Sequence, residues 1–182
     1  MNPHFFAYGS FPIYIIYFIG LICNKVGIEQ AIIISRLIST ILSISLIPLI
    51  YLIGSTLKDK ATGLLAAIFT TFSIGLIQFA HFGTFEIWTT FLSTLLFYAC
   101  LKFLKEYSIK KIALAGIISG LLISTKTSNL VLLPFLILVL FLNFRTSSSR
   151  VRQLADVAIS SFFLIISASS IFLLTNPFAI LD

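Results

Sequence analysis

Apolar residues in this chain come in long runs interrupted by clustered polar positions, not in the alternation of a half-buried strand or the one-sided stripe of a surface helix. A first run covers residues 11–23, and after the polar stretch 24–30 further runs fill 31–53, 63–78, 87–101, 112–123, 130–142 and 157–174. A spanning helix needs about 20 apolar residues, so these runs predict membrane helices joined by short polar loops. The first run is the exception. Its 13 residues make about 20 Å of helix, against a hydrocarbon core of about 30 Å. Rich in Tyr and Phe, with Pro12 allowed in its first turn, it reads as an interfacial helix lying along the membrane surface. The expected fold is therefore all-α: a polytopic helical membrane protein with about six transmembrane helices plus an N-terminal interfacial helix, forming a single domain over 1–182. Pro48 is expected to kink its span. A polar break at 124–129 makes 112–123 and 130–142 either two short crossings or one helical hairpin.

Composition strengthens this picture. Hydrophobic residues make up 59% of the chain and charged residues 10%, whereas soluble domains carry about 25% charged residues. The net charge of +6 raises the question of nucleic acid. The basic residues, however, fall in short loops between apolar runs and not along one face, so nucleic acid is excluded as a partner and membrane lipids are the expected surroundings. Nine of the twelve Lys and Arg lie at Lys58 and Lys60, at 102–111 and at 145–152. Placing those loops in the cytoplasm orients a multi-pass protein of the cell membrane and leaves Lys25, Arg36 and Lys126 outside. Cys23 and Cys100 then fall near opposite faces, too far apart to pair.

Candidate chemistry gathers at few positions. The external stretch His81-Phe-Gly-Thr-Phe-Glu86 puts an acid at a helix start, where the helix dipole favours a carboxylate by about 0.3–1 kcal/mol. An acid at membrane depth costs about 2.5–3.5 kcal/mol and marks a functional site, and both readings of Glu86 stand. His81 fits a surface or hydrogen-bonded interface residue, a metal ligand or a base. Lys126, among the hydroxyls of Ser-Thr-Lys-Thr-Ser at the break, suits either a bound phosphate or snorkelling to the headgroups. Arg36 is an out-of-place cation, suited to packing or headgroup contact. No metal-ligand spacing, nucleophile elbow or phosphate-binding glycine loop occurs, so no cofactor is assigned, and a divalent metal is left open. The Ser-rich stretch 146–149 reads as a linker.

The order of several short stretches carries a resemblance. They are Asn2-Pro-His-Phe-Phe with Tyr8-Gly-Ser-Phe-Pro12; Ser35-Arg-Leu-Ile-Ser39; Tyr51-Leu-Ile-Gly54; His81 to Glu86; Gly116 to Gly120 followed by Thr125-Lys126; and Thr175-Asn-Pro-Phe178. In these the chain resembles the polytopic lipid-linked glycosyltransferases, which include protein O-mannosyltransferases and the aminoarabinose transferase acting on lipid A. The resemblance implies inverting transfer of a hexosyl or pentosyl group from a polyprenyl-phosphate donor, on the external face, to a protein, lipid or glycan acceptor. It implies that Glu86 matches the second acidic position of the family, usually an Asp, and Lys126 the lysine after the glycine-rich helix. A carboxylate can take or position the acceptor's proton, and a cation can offset charge on the departing phosphate. His81 and Arg36 would join Lys126 in substrate binding. The family's principal acid lies just upstream of the stretch resembling 2–12, so the chain is expected to be a fragment truncated at both ends and inactive alone. Two rival readings are a transporter or lipid-handling protein, since broken helices also build transporter sites, and a catalytically silent membrane subunit.

Overall fold

The structure, a computed structural model, describes residues 8–144 and 150–177. They form α1 (Phe11–Ile22), α2 (Ile28–Leu57), α3 (Lys60–Thr71), α4 (Ile74–Phe82), α5 (Phe85–Lys105), α6 (Ile109–Thr125), a 3-10 segment (Thr127–Leu132), α7 (Leu133–Phe144) and α8 (Arg150–Thr175). The stretches Asn2-Pro-His-Phe-Phe and 146–149 lie outside the described residues, as does Phe178. The chain is an all-α polytopic membrane protein. By length and hydropathy α2, α5 and the 154–175 part of α8 can each cross a membrane, and α3 with α4 makes a fourth span if that bent pair counts as one. The runs suggested about six. The shortfall lies at α6, with 17 residues, and at the shorter apolar stretch Thr127–Leu142. Helix α1, with 12 residues, is likewise too short to span comfortably.

Two compact units share the described residues: Ser10–Leu95, and Leu96 onward together with Tyr8 and Gly9. In the first, α2 runs unbroken through Pro48 and packs on α1, α3 and α4. Leu46, Ile87 and Trp88 form a buried cluster, flanked by Phe11, Ile15, Ile38, Leu42, Leu76 and Phe91. The Phe11 and Trp88 rings meet edge to face at 5.7 Å, the arrangement the ring quadrupoles favour. The run 63–78, read as one crossing, is two helices bent by 53° at Phe72–Ser73. On α2, Ile33, Leu37, Ile41 and Ile44 recur at helical spacing and are exposed. Such a stripe would aggregate in water but suits lipid.

In the second unit α6 packs chiefly on α8. Gly116 and Gly120, four residues apart on one α6 face, lie against the Leu164 and Ala168 carbonyls of α8, leaving no room for a Cβ. Such close backbone approach is how helices associate where water gives no hydrophobic drive. Around this seam are buried Ile112, Ala115, Ile118, Leu122, Leu164 and Ala168. Phe97 stacks on Phe135 at 6.2 Å.

Candidate functional site

Arg36, His81 and Glu86 belong to the first unit. Helix α4 ends at Phe82, and Gly83 follows at φ 68°, the left-handed conformation that side chains resist. This turn is pinned to α2: Ser35 Oγ donates to Gly83 O at 2.7 Å. A Cβ on Gly83 would meet Ser35 Oγ at 2.8 Å and Arg36 N at 3.0 Å. Two stretches singled out in the sequence, Ser35-Arg-Leu-Ile-Ser39 and His81 to Glu86, are thus in contact. Arg36 is exposed, and its carbonyl accepts from Thr40 Oγ1 at 2.9 Å. His81 lies in the last turn of α4 and lines a cavity of about 310 Å³ with Thr40, Ser43, Thr70 and Thr71. Thr40, Thr70 and Thr71 donate to their own helices, leaving lone pairs for a ligand's donors.

Glu86 is half-buried in the first turn of α5, where the positive end of the helix dipole favours its charge. Thr89 sits three residues on, on the same helical face. Its Oγ1, like that of Thr84 just before the helix, is buried with no hydrogen-bond partner among the described residues. Leaving a buried hydroxyl unpaired costs about 1–3 kcal/mol and calls for an explanation. Sequence reasoning reached Glu86 and missed these hydroxyls; nothing in a Thr-rich apolar run marks which Thr will lack a partner.

Lys126 belongs to the second unit. Helix α6 stops at Thr125 and Lys126 is extended, so the expected break is present. It is stitched closed: Asn129 Nδ2 donates to Leu122 O at 2.9 Å, and Asn129 N to Lys126 O at 3.0 Å. Such replacement bonds are obligatory wherever a helix opens in lipid. Gly9 N donates to Thr125 O at 3.1 Å, completing an isolated antiparallel bridge between Tyr8 and Lys126. The Lys126 ammonium stands 5.4 Å from the Tyr8 ring centroid, a cation–π contact. Ser124 Oγ and Thr175 Oγ1 share a hydrogen bond of 2.6 Å. Tyr8-Gly9, Thr125-Lys126 and Thr175 therefore converge. Beside the break, Ile123, Thr127, Leu130, Ala168, Phe172 and Leu173 line an apolar groove of about 420 Å³.

No group of three or more His, Cys, Asp and Glu that could hold a metal occurs among the described residues. A family model described as dolichyl-phosphate-mannose-protein mannosyltransferase matches residues 10–172. No curated protein and no solved structure shows a significant match.

Proposed function

Because the chain belongs to the dolichyl-phosphate-mannose-protein mannosyltransferase family, membrane glycosyltransferases that use a lipid-linked sugar, we propose that it serves transfer of a sugar from a polyprenyl-phosphate donor, with inversion, on the external face of the cell membrane. The acceptor is a hydroxyl of a protein, lipid or glycan. Glu86 takes or positions the acceptor's proton as the new glycosidic bond forms, and Lys126 offsets the charge that grows on the departing lipid phosphate. The observation that carries this reading is the face of α5 on which a half-buried carboxylate and the buried, unpartnered Thr89 hydroxyl lie together. A purely structural helix start accounts for the carboxylate but not for the unpartnered hydroxyl. The donor assignment draws support from the break itself: an ammonium for the phosphate, and next to it the apolar groove at Thr127 for the start of an isoprenoid chain. His81 and Arg36 are assigned to substrate binding.

The test is sugar transfer from a synthetic polyprenyl-phosphate sugar in membranes expressing the protein from its native locus, with parent and Glu86→Gln compared at matched protein levels. Loss of transfer with unchanged donor binding supports the reading. Equal transfer by both overturns the role of Glu86.

A further inference from the structure

From the α5–α6 turn we infer a binding surface for anionic phospholipid headgroups, independent of the transferase reading. Only Glu106, Tyr107 and Ser108 separate the two helices, and the region from Lys102 to Lys111 carries four lysines and one acid. That acid is already committed. Lys111 Nζ donates to Glu106 Oε2 at 2.7 Å, and also to Glu106 O at 3.1 Å and Lys102 O at 3.3 Å, so one lysine ties the turn shut. Hydrogen bonding to Lys111, and then its charge, hold the Glu106 carboxyl below its usual value. Lys102, Lys105 and Lys110 remain exposed, with no carboxylate partner among the described residues.

The surroundings of these three cations suit a headgroup layer better than bulk water. Lys102 Nζ stands 5.4 Å from the Tyr98 ring centroid. Tyr107 packs edge-on to Phe103 at 5.8 Å and is 47% exposed. Leu104 and Ile109 are exposed beside them. Amphipathic aromatic rings and lysines whose stems lie on apolar surface are the residue types that settle at the membrane interface. Lysines next to a spanning helix attract anionic lipids by about fivefold in affinity per cation close to the surface.

The experiment places the protein in nanodiscs of equimolar phosphatidylcholine and phosphatidylglycerol and counts, by native mass spectrometry, the lipids of each class that stay bound. The parent is expected to retain phosphatidylglycerol in preference. The preference should fall by about fivefold per lysine in Lys102→Gln, Lys105→Gln and Lys110→Gln combined, and persist when the same three become Arg, which shows that folding is intact. Lys111 is left in place because it closes the turn. A parent without preference overturns the inference, as does a Gln triple variant that keeps it. So does equal loss in Lys58→Gln with Lys60→Gln, which would make the effect one of net charge and not of this turn.

Discussion

Ser35 on α2 gives its hydroxyl hydrogen to the carbonyl of Gly83, 48 positions later, in a 2.7 Å bond that clamps the turn between α4 and α5. Through this bond the helix carrying Arg36 governs where α5 begins, and with it the setting of Glu86.

Removing that clamp should loosen the turn without unfolding the unit. Ser35→Ala loses one hydrogen bond, about 1 kcal/mol. Gly83→Ala forces a Cβ into a left-handed residue, about 1–2 kcal/mol, and crowds Ser35 Oγ as well. Because the two changes share that oxygen, the double variant should be less destabilised than the sum of the singles, measured as detergent-induced unfolding. Strict additivity would show that the clamp is not the contact that matters.

Glu86→Gln keeps the shape of the side chain and removes its charge. A helix-start residue should then lose no more than about 1 kcal/mol of stability. A carboxylate that handles the acceptor's proton should lose about 10²–10⁴ in rate. Steady-state turnover of folded, inserted full-length protein expressed from its native locus separates the two, and turnover within about threefold of the parent (well short of the lower bound) would leave Glu86 a structural residue.

Lys126→Ala should raise the donor concentration needed for half-maximal rate far more than it changes stability. Tyr8→Leu should have the same effect more weakly, because the cation–π contact it removes is worth about 0.5–1 kcal/mol. Titration with donor analogues of varied lipid length tests the groove at Thr127 as well: affinity should rise with the first isoprene units and then level off.

Acid should fray the start of α3. Asp59 accepts a 2.7 Å hydrogen bond from Thr62 N as the cap of that helix, and this bond, with the Thr62 side chain adding to it, lowers the Asp59 pKa. A carboxyl whose folded pKa is depressed contributes stability in full above its unfolded value and loses it as pH falls through the folded one. Protection of the Thr62 amide should therefore drop below the ordinary carboxylate range. Asp59→Asn should retain the cap and abolish the pH dependence.

Orientation is testable with cysteines placed before and after α5. Thr84 precedes α5 but its Oγ1 is buried, so Phe82, 57% exposed, is the better reporter. With exposed Cys23 replaced by Ser, Phe82→Cys should react with an impermeant reagent in intact cells, and Tyr107→Cys only once the membrane is opened. The reverse pattern would invert the assignment of the basic loops.

Hydrophobic runs sufficed to find the helices, because in lipid every backbone group must be paired within its own segment and apolar length alone decides. The same uniformity hid the interruptions. Thr70, Thr71 and Ser73 flank Phe72, but hydroxyl side chains also sit inside helices by bonding the carbonyl four back, as Thr70 and Thr71 do, so the bend there was illegible, and His81 belongs to helix α4. The break at Lys126 was legible, since six polar residues in an apolar setting cannot be continued cheaply. What closes it was not: Tyr8 lies far away in sequence, and Asn129 reaches back seven residues to the Leu122 carbonyl, a spacing outside the helical repeat. Long-range pairing such as Ser35 with Gly83 leaves no periodic trace at all.

The glycine seam of α6 has a temporal consequence. Its partner α8 is synthesised only after the 3-10 segment and α7. Until α8 is made, the face bearing Gly116 and Gly120 lacks the Leu164 and Ala168 carbonyls that fit it. A chain stalled before α8 therefore presents an unpartnered small-residue face to the other helices in the membrane.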